Sequence, residues 1–295
     1  MINGLNIIKT IQSNERYDAY EAELKGQRVF AKKAKTTKTK ELISGVAKNS
    51  DIVNALGSSS TDLPFRAPQI LANEGGWLIS EWIDGKSLDE DVILNPESVA
   101  NTLTEFFIAF DNEPVKSKDF RQIFTKGGLE SRMKERIPEN LEVEQKKILE
   151  EAKKLFDKLQ PELVPALQDA DIKPDHIFND PKNPGGYVLV DSEHLGSQWP
   201  RFYDLGNNFD KFWVRQQKTF SVVLLKTFLD RSGLAGDEIF KNLLATLLIR
   251  GISLHWETDY DPGARSYNIP RAQAMLKTCL KARNLDDLLY LSYRR

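Results

Sequence analysis

The chain has 295 residues, 40% of them apolar and 28% charged, a globular composition with length enough for one large core or two domains. Lys+Arg 41 against Asp+Glu 43 leaves a net charge of −2, which removes the global electrostatic case for a nucleic-acid binder, and the single Cys279 excludes an intramolecular disulfide framework and any multi-cysteine zinc site. No secretory leader pattern opens the chain and no apolar run of about 18 residues occurs, so a soluble, cytoplasmic protein without a membrane partner is expected.

The N-terminal part reads as strands. Tyr20 to Leu24 and Arg28 to Lys32 flank Lys25-Gly26-Gln27, and Ala67 to Leu71 and Trp77 to Trp82 flank Asn73-Glu74-Gly75-Gly76. Both arrangements predict hairpins with glycine-containing turns, hence a small antiparallel sheet. Between them, Thr39 to Leu56 is long enough for one helix, with Leu42, Val46, Ile52, Val53 and Leu56 as its buried positions.

Beyond residue 95 the period changes. Asn95-Pro96 is a helix start, since Asn caps free N–H groups and Pro at the first helical position gives up a donor that has no partner there. Leu103, Phe106, Phe107 and Phe110 then recur at helical spacing. Glu142 to Leu159 is a second amphipathic helix, apolar at Ile148, Leu149, Ala152, Leu155, Phe156 and Leu159. Helical patterns return at Phe220 to Leu229, Ile239 to Ile252 and Ala272 to Leu280. A strand-rich lobe over residues 1–83 and a helix-rich lobe over residues 84–295 are therefore predicted.

One segment among the helices departs from this pattern. Ile177-Phe178 and Tyr187 to Val190 are short apolar runs separated by Asn179-Asp180-Pro181-Lys182-Asn183-Pro184-Gly185-Gly186, which predicts a ribbon. Asp171 opens a turn held by Pro174, His176 follows, and Asp191 closes the second strand, so two carboxylates and an imidazole gather at one end. Phosphoryl transfer needs such a group: one carboxylate to orient a hydroxyl and accept its proton, others to hold Mg²⁺ at the phosphates.

At these residues the chain resembles the aminoglycoside phosphotransferase and choline kinase-like enzymes. Leu167-Gln168-Asp169-Ala170-Asp171-Ile172-Lys173-Pro174-Asp175-His176-Ile177-Phe178 is similar to their catalytic loop, Val190-Asp191-Ser192-Glu193 to their metal-binding signature, and Pro200-Arg201-Phe202-Tyr203-Asp204-Leu205-Gly206 to the motif that follows. The resemblance implies a two-lobed protein kinase-like α+β fold, an ATP- and Mg²⁺-dependent phosphotransferase, and a small-molecule hydroxyl acceptor. It also implies roles: Asp171 catalytic, Asp191 and His176 at the metal, and Asp204 structural. In Val29-Phe30-Ala31-Lys32, Lys32 would hold the phosphates, while Lys33 points the other way on the strand. Glu41 or Asp51 would be the helix carboxylate that holds this lysine. Glu81 and Ile83, in Trp77 to Leu88, would face adenine through their backbone.

Several positions depart from the family pattern. Asp169 stands for its histidine, Ala170 for its glycine and His176 for its asparagine, and Ile11 to Tyr17 has no Gly-x-Gly-x-x-Gly, leaving Ser13 and Asn14 as phosphate-contact candidates. Glu193, Asp210, Trp213, Trp256 and Glu257 could form an acidic and aromatic acceptor surface suited to a cation, or be core and solvated face instead. The lysines between Lys32 and Lys40 lack interleaved aromatics, so nucleic acid is not expected as a partner. A catalytically silent nucleotide-binding module stays open. A protein kinase is disfavoured by the missing glycine loop and the short stretch from Asp191 to Pro200.

Overall fold

The structure is a computed structural model that describes residues 2–60, 63–111, 141–214, 218–260 and 265–290. The elements begin with β1 (Leu5–Ser13), β2 (Tyr17–Leu24), β3 (Gln27–Ala34), α1 (Thr37–Ser59), β4 (Phe65–Arg66), β5 (Ile70–Glu74), β6 (Trp77–Glu81) and α2 (Pro96–Asp111). They continue with α3 (Val143–Leu159), β7 (Pro165–Gln168), β8 (Ile177–Asn179), β9 (Tyr187–Leu189), β10 (Gly196–Pro200), α4 (Tyr203–Val214), α5 (Lys218–Ser232), α6 (Gly236–Tyr260), α7 (Arg265–Lys281) and α8 (Leu285–Tyr290).

The chain divides into two compact units, Met1–Leu94 with Asp171–Leu195, and Asn95–Ala170 with Gly196–Arg295. The boundary expected after residue 83 therefore falls at Leu94, and residues 171–195 group with the N-terminal strands. Backbone hydrogen bonding explains the regrouping: β9 pairs in parallel with β4, and Phe178 bridges to Ser87. Such long-range pairings leave no local mark in a sequence.

In the first unit, five antiparallel strands lie in the order β1-β2-β3-β6-β5. Side-chain alternation splits the sheet into two faces. Ala22, Val29, Ala31 and Ile79 form a fully buried cluster with Tyr20, Leu24 and Trp77 packed against it. Phe30 and Lys32, from the other parity of β3, face the opposite side, where Leu78 packs with Ile43 and Val46 of α1. The edge strand β1 escapes a local reading because eight of its nine residues are exposed, which erases the alternation.

Helix α1 starts two residues before the expected Thr39. Thr36 caps it, its side chain accepting from the Thr39 N–H. Its buried stripe is Ile43, Val46, Ser50, Val53 and Leu56, whereas the expected Leu42 and Ile52 are half-buried. After β6, a Cβ on Gly85 would stand 2.0 Å from the Asn179 carbonyl oxygen, while the next residue's carbonyl accepts the Asn179 N–H at 2.9 Å. Only glycine admits that approach. Gly85→Ala is expected to cost about 2 kcal/mol, since backbone must move to relieve the clash; a denaturant midpoint equal to that of the parent would refute this.

In the second unit, α2 buries Leu103, Phe106, Phe107 and Phe110, and α3 buries Ile148, Leu149, Ala152 and Phe156, as the spacing predicts, while Leu155 and Leu159 are half-buried. Helix α7 begins at Arg265, before the expected Ala272, and carries Pro270 inside it. A two-stranded antiparallel pair, β7 with β10, was not foreseen.

His255 of α6 is a core histidine. Its Nδ1 lies 2.8 Å from the Gly251 carbonyl and its Nε2 lies 3.0 Å from the Gln273 amide nitrogen, which fits a neutral ring donating through Nδ1. Burial pushes its pKa below the ordinary value of 6.5, against the Gly251 carbonyl, which favours the charged form. With the folded value depressed, the neutral ring contributes stability above the unfolded pKa, and this is lost as the pH falls through the folded one. The unfolding free energy of a His255→Gln variant should therefore fall less steeply below pH 6.5 than that of the parent; parallel curves would refute it.

Candidate active site

Strand β3 delivers Lys32 almost fully buried. Its Nζ lies 2.9 Å from Asp191 Oδ1 and 2.6 Å from Glu193 Oε2, and 4.2 Å from the centroid of the Tyr17 ring. Burial works against its charge, yet Asp191 and Glu193 outweigh burial and raise its pKa above the ordinary lysine value.

The turn after residue 170 and the end of the β8–β9 ribbon bring three further groups together. Donor atoms of Asp171, His176 and Asp191 all lie within 4.8 Å of one another. His176 Nδ1 stands 3.8 Å from Asp171 Oδ2, and its Nε2 stands 4.0 Å from Asp191 Oδ2. Lys173 Nζ is 3.4 Å from Asp171 Oδ2. Burial would raise the Asp191 pKa, but Lys32 and His176 hold it below the usual carboxylate range. Burial, with Lys173 adding to it, lowers that of His176. Asp191 is thus an ionised carboxylate and His176 a neutral imidazole near pH 7, a donor set of two carboxylates and a free nitrogen lone pair that fits a divalent cation. Asp191 adopts a left-handed backbone, φ 64°, a costly conformation for a residue with a Cβ that turns its carboxylate at the end of the ribbon.

Lys32, His176 and Asp191 line a cavity of about 410 Å³. Its walls are largely apolar, with Ala19, Phe30, Val46, Leu78, Phe178 and Val190 among them, and Glu81, Trp82 and Ile83 also line it. An apolar slot of this volume with a few convergent polar groups suits a flat aromatic ligand carrying charge at one end.

In the second unit, the loop preceding Asp171 is held by Asp204. Its carboxylate accepts from the N–H groups of Asp169 (2.9 Å) and Ala170 (3.2 Å), and Asn207 donates to the Ala170 carbonyl at 3.0 Å. Ala170 has φ 67°, so alanine holds a backbone shape that glycine would adopt without strain.

No family model matches the chain, and no curated protein matches it either. Solved structures do. Aminoglycoside phosphotransferase APH(4)-Ia superposes over 95% of this chain and 95% of its own, with a TM-score of 0.64 at 13% identity. Choline kinase LicA from Streptococcus pneumoniae covers 94% of each chain with a TM-score of 0.62 at 14% identity. Plasmodium vivax ethanolamine kinase covers 93% of this chain and 83% of its own, with a TM-score of 0.59 at 13% identity. The chain has the fold of the small-molecule kinases. A thermostable APH(4)-Ia mutant was solved as a ternary complex with AMP-PNP and hygromycin B, and it covers 92% of this chain with a TM-score of 0.64 at 15% identity.

Within this kinase-like fold, Lys32, Asp171, His176, Asp191 and Glu193 come together, and Glu81 and Ile83 line the adjoining cavity. The carboxylate that grips the lysine is not the expected helix residue. Glu41 and Asp51 are both exposed on α1, because the stripe that α1 turns inward carries Val46 and Ser50, which line the cavity, and no acid. Glu193 takes that place rather than an acceptor surface. Its position two residues after Asp191 was the available signal, and Asn49 of α1 secures this turn by donating to the Ser192 carbonyl at 2.7 Å.

Ser13 and Asn14 are engaged within their own turn. Asp210 is fully buried in the second unit, 2.7 Å from Arg271 and 3.6 Å from Arg250, so it is a core ion pair rather than part of an open acceptor surface. Trp213 lies on α4, and Trp256 and Glu257 lie on α6; their side chains fall outside the described residues. Spacing alone did not single out Tyr17, Lys173 or Arg16. Among the described residues, no helix is long and apolar enough to cross a membrane.

Proposed function

We propose that this kinase-like protein transfers the γ-phosphoryl group of ATP to a hydroxyl of a small molecule, in the manner of an aminoglycoside or choline kinase. The observation that carries the reading is the convergence of Lys32, His176 and Asp191 in the wall of one largely apolar cavity, with Asp171 beside them. The base would occupy the slot beside Glu81 to Ile83, which places the phosphates at Lys32. Asp171 would orient the acceptor hydroxyl and take its proton as the new oxygen–phosphorus bond forms and the bond to the β-phosphate oxygen breaks, releasing ADP. Lys173 supplies positive charge beside Asp171. Asp191, with His176, would hold Mg²⁺, which when bound neutralises charge on the phosphate oxygens.

The reading is tested by measuring ATP consumption over a panel of aminoglycosides, choline-like alcohols, sugars and hydroxyl amino acids, with Asp171→Asn as the blank. Acceptor-dependent ADP release abolished in the blank supports it. Magnesium-dependent ATP binding with no turnover across the panel would instead favour a catalytically silent nucleotide-binding module.

A further inference from the structure

The turn between β1 and β2 spends its hydrogen-bond donors on itself. Asn14 Oδ1 accepts from the N–H groups of Arg16 (2.8 Å) and Tyr17 (2.9 Å), and the Asn14 N–H donates to the Tyr17 carbonyl at 3.0 Å. The Ser13 hydroxyl donates to Asp18 at 2.6 Å, and Lys35 Nζ donates to Ser13 Oγ at 3.0 Å and to the Asn14 carbonyl at 2.8 Å. Three amides and a hydroxyl that a phosphate-cradling loop would present are thereby committed inside the turn. With these donors committed, a side chain of the turn is the natural route to a phosphate.

Arg16 is the side chain in position. Its Nη2 lies 3.4 Å from Glu193 Oε1, while Glu193 Oε2 is 2.6 Å from Lys32 Nζ. Two cations therefore share one buried carboxylate beside the cavity. The two pairings are unequal. The lysine contact is short and buried, whereas the arginine contact is long for a charge-assisted hydrogen bond and its side chain is 48% exposed. The guanidinium is held near the site yet is the easier of the two to redirect, and its planar fork suits phosphate oxygens.

We propose that Arg16 is the second phosphate-contacting cation of the nucleotide site, exchanging Glu193 for the phosphate chain when nucleotide binds. It does through a guanidinium what backbone amides do in a glycine-rich loop. Glu193 keeps the arginine close, and when nucleotide binds it remains with Lys32. The inference rests on the reading of the cavity as a nucleotide site.

Calorimetric titration with ATP and with adenosine, at fixed magnesium and ionic strength, separates the possibilities. Arg16→Gln, a change at a half-exposed turn position, should weaken ATP binding about tenfold, the loss of one charge-assisted contact, and leave adenosine within about twofold of the parent. Arg16→Lys should fall between the two. Equal ATP affinity in Arg16→Gln and the parent would overturn the role of Arg16 while leaving the nucleotide site intact. An equal loss for ATP and adenosine would also overturn it, by showing a structural effect on the turn. If the unsubstituted protein binds neither ligand, the phosphotransferase reading and this inference fall together.

Discussion

Asp171→Asn should retain ATP binding and lose turnover by about 10³-fold, the scale of a removed general base. The substitution conserves shape and keeps an oxygen toward His176 and Lys173, but the amide cannot accept the acceptor's proton. Nucleotide affinity should change little, because Lys32 and the apolar walls would contact ATP elsewhere. The decisive comparison is the Kd for ATP beside the single-turnover rate of phosphoryl transfer. A rate within tenfold of the parent would remove Asp171 from the chemistry. A loss of ATP binding as large as the loss of rate would make it a nucleotide ligand instead.

Arg66→Ala should lower the unfolding free energy by about 3 kcal/mol, toward the lower end of the cost of breaking a buried ion pair. Arg66 Nε and Nη2 hold Asp180 at 2.7 and 2.9 Å, and its Nη1 also bonds Glu81. Both carboxylates are buried, so alanine would leave Asp180 without its main partner and Glu81 with one partner fewer. Two features limit the loss: the arginine side chain is 25% exposed, and Lys182 still pairs with Glu81. Because Glu81 also accepts the Gln69 N–H at 2.9 Å, the network ties the strand beside the cavity to the ribbon turn that carries Asp180. Chemical denaturation measures the effect, and a loss below about 1 kcal/mol would mean that solvent already screens the cluster.

What could be read ahead of the structure follows the range of each interaction. The β5–β6 hairpin was legible because Gly75 and Gly76, with φ 61° and 83°, supply the backbone its turn needs within a few residues of sequence. Helices α2 and α3 were legible because one face repeats within the window that a periodicity scan sees. Lys32, Asp171, His176 and Asp191 could be named from motif spacing, and they do meet. Partner choice was not legible. That Glu193 and not Glu41 or Asp51 meets Lys32 depends on which stripe of α1 turns inward, and the buried Ile43, not predicted as such, fixes that rotation. The burial of Asp210 depended likewise on Arg250 and Arg271, distant in sequence and silent in any local pattern.

The regrouping of residues 171–195 with the N-terminal strands bears on how such a chain can diverge. Lysine, ribbon and acids belong to one compact unit, so substitutions in residues 95–170 and 196–295 away from the Asp204 and Asn207 bonds to residues 169–170 can accumulate without entering that unit. Under the proposed function, a lineage built this way would change its acceptor while the apparatus that would handle the nucleotide is inherited whole.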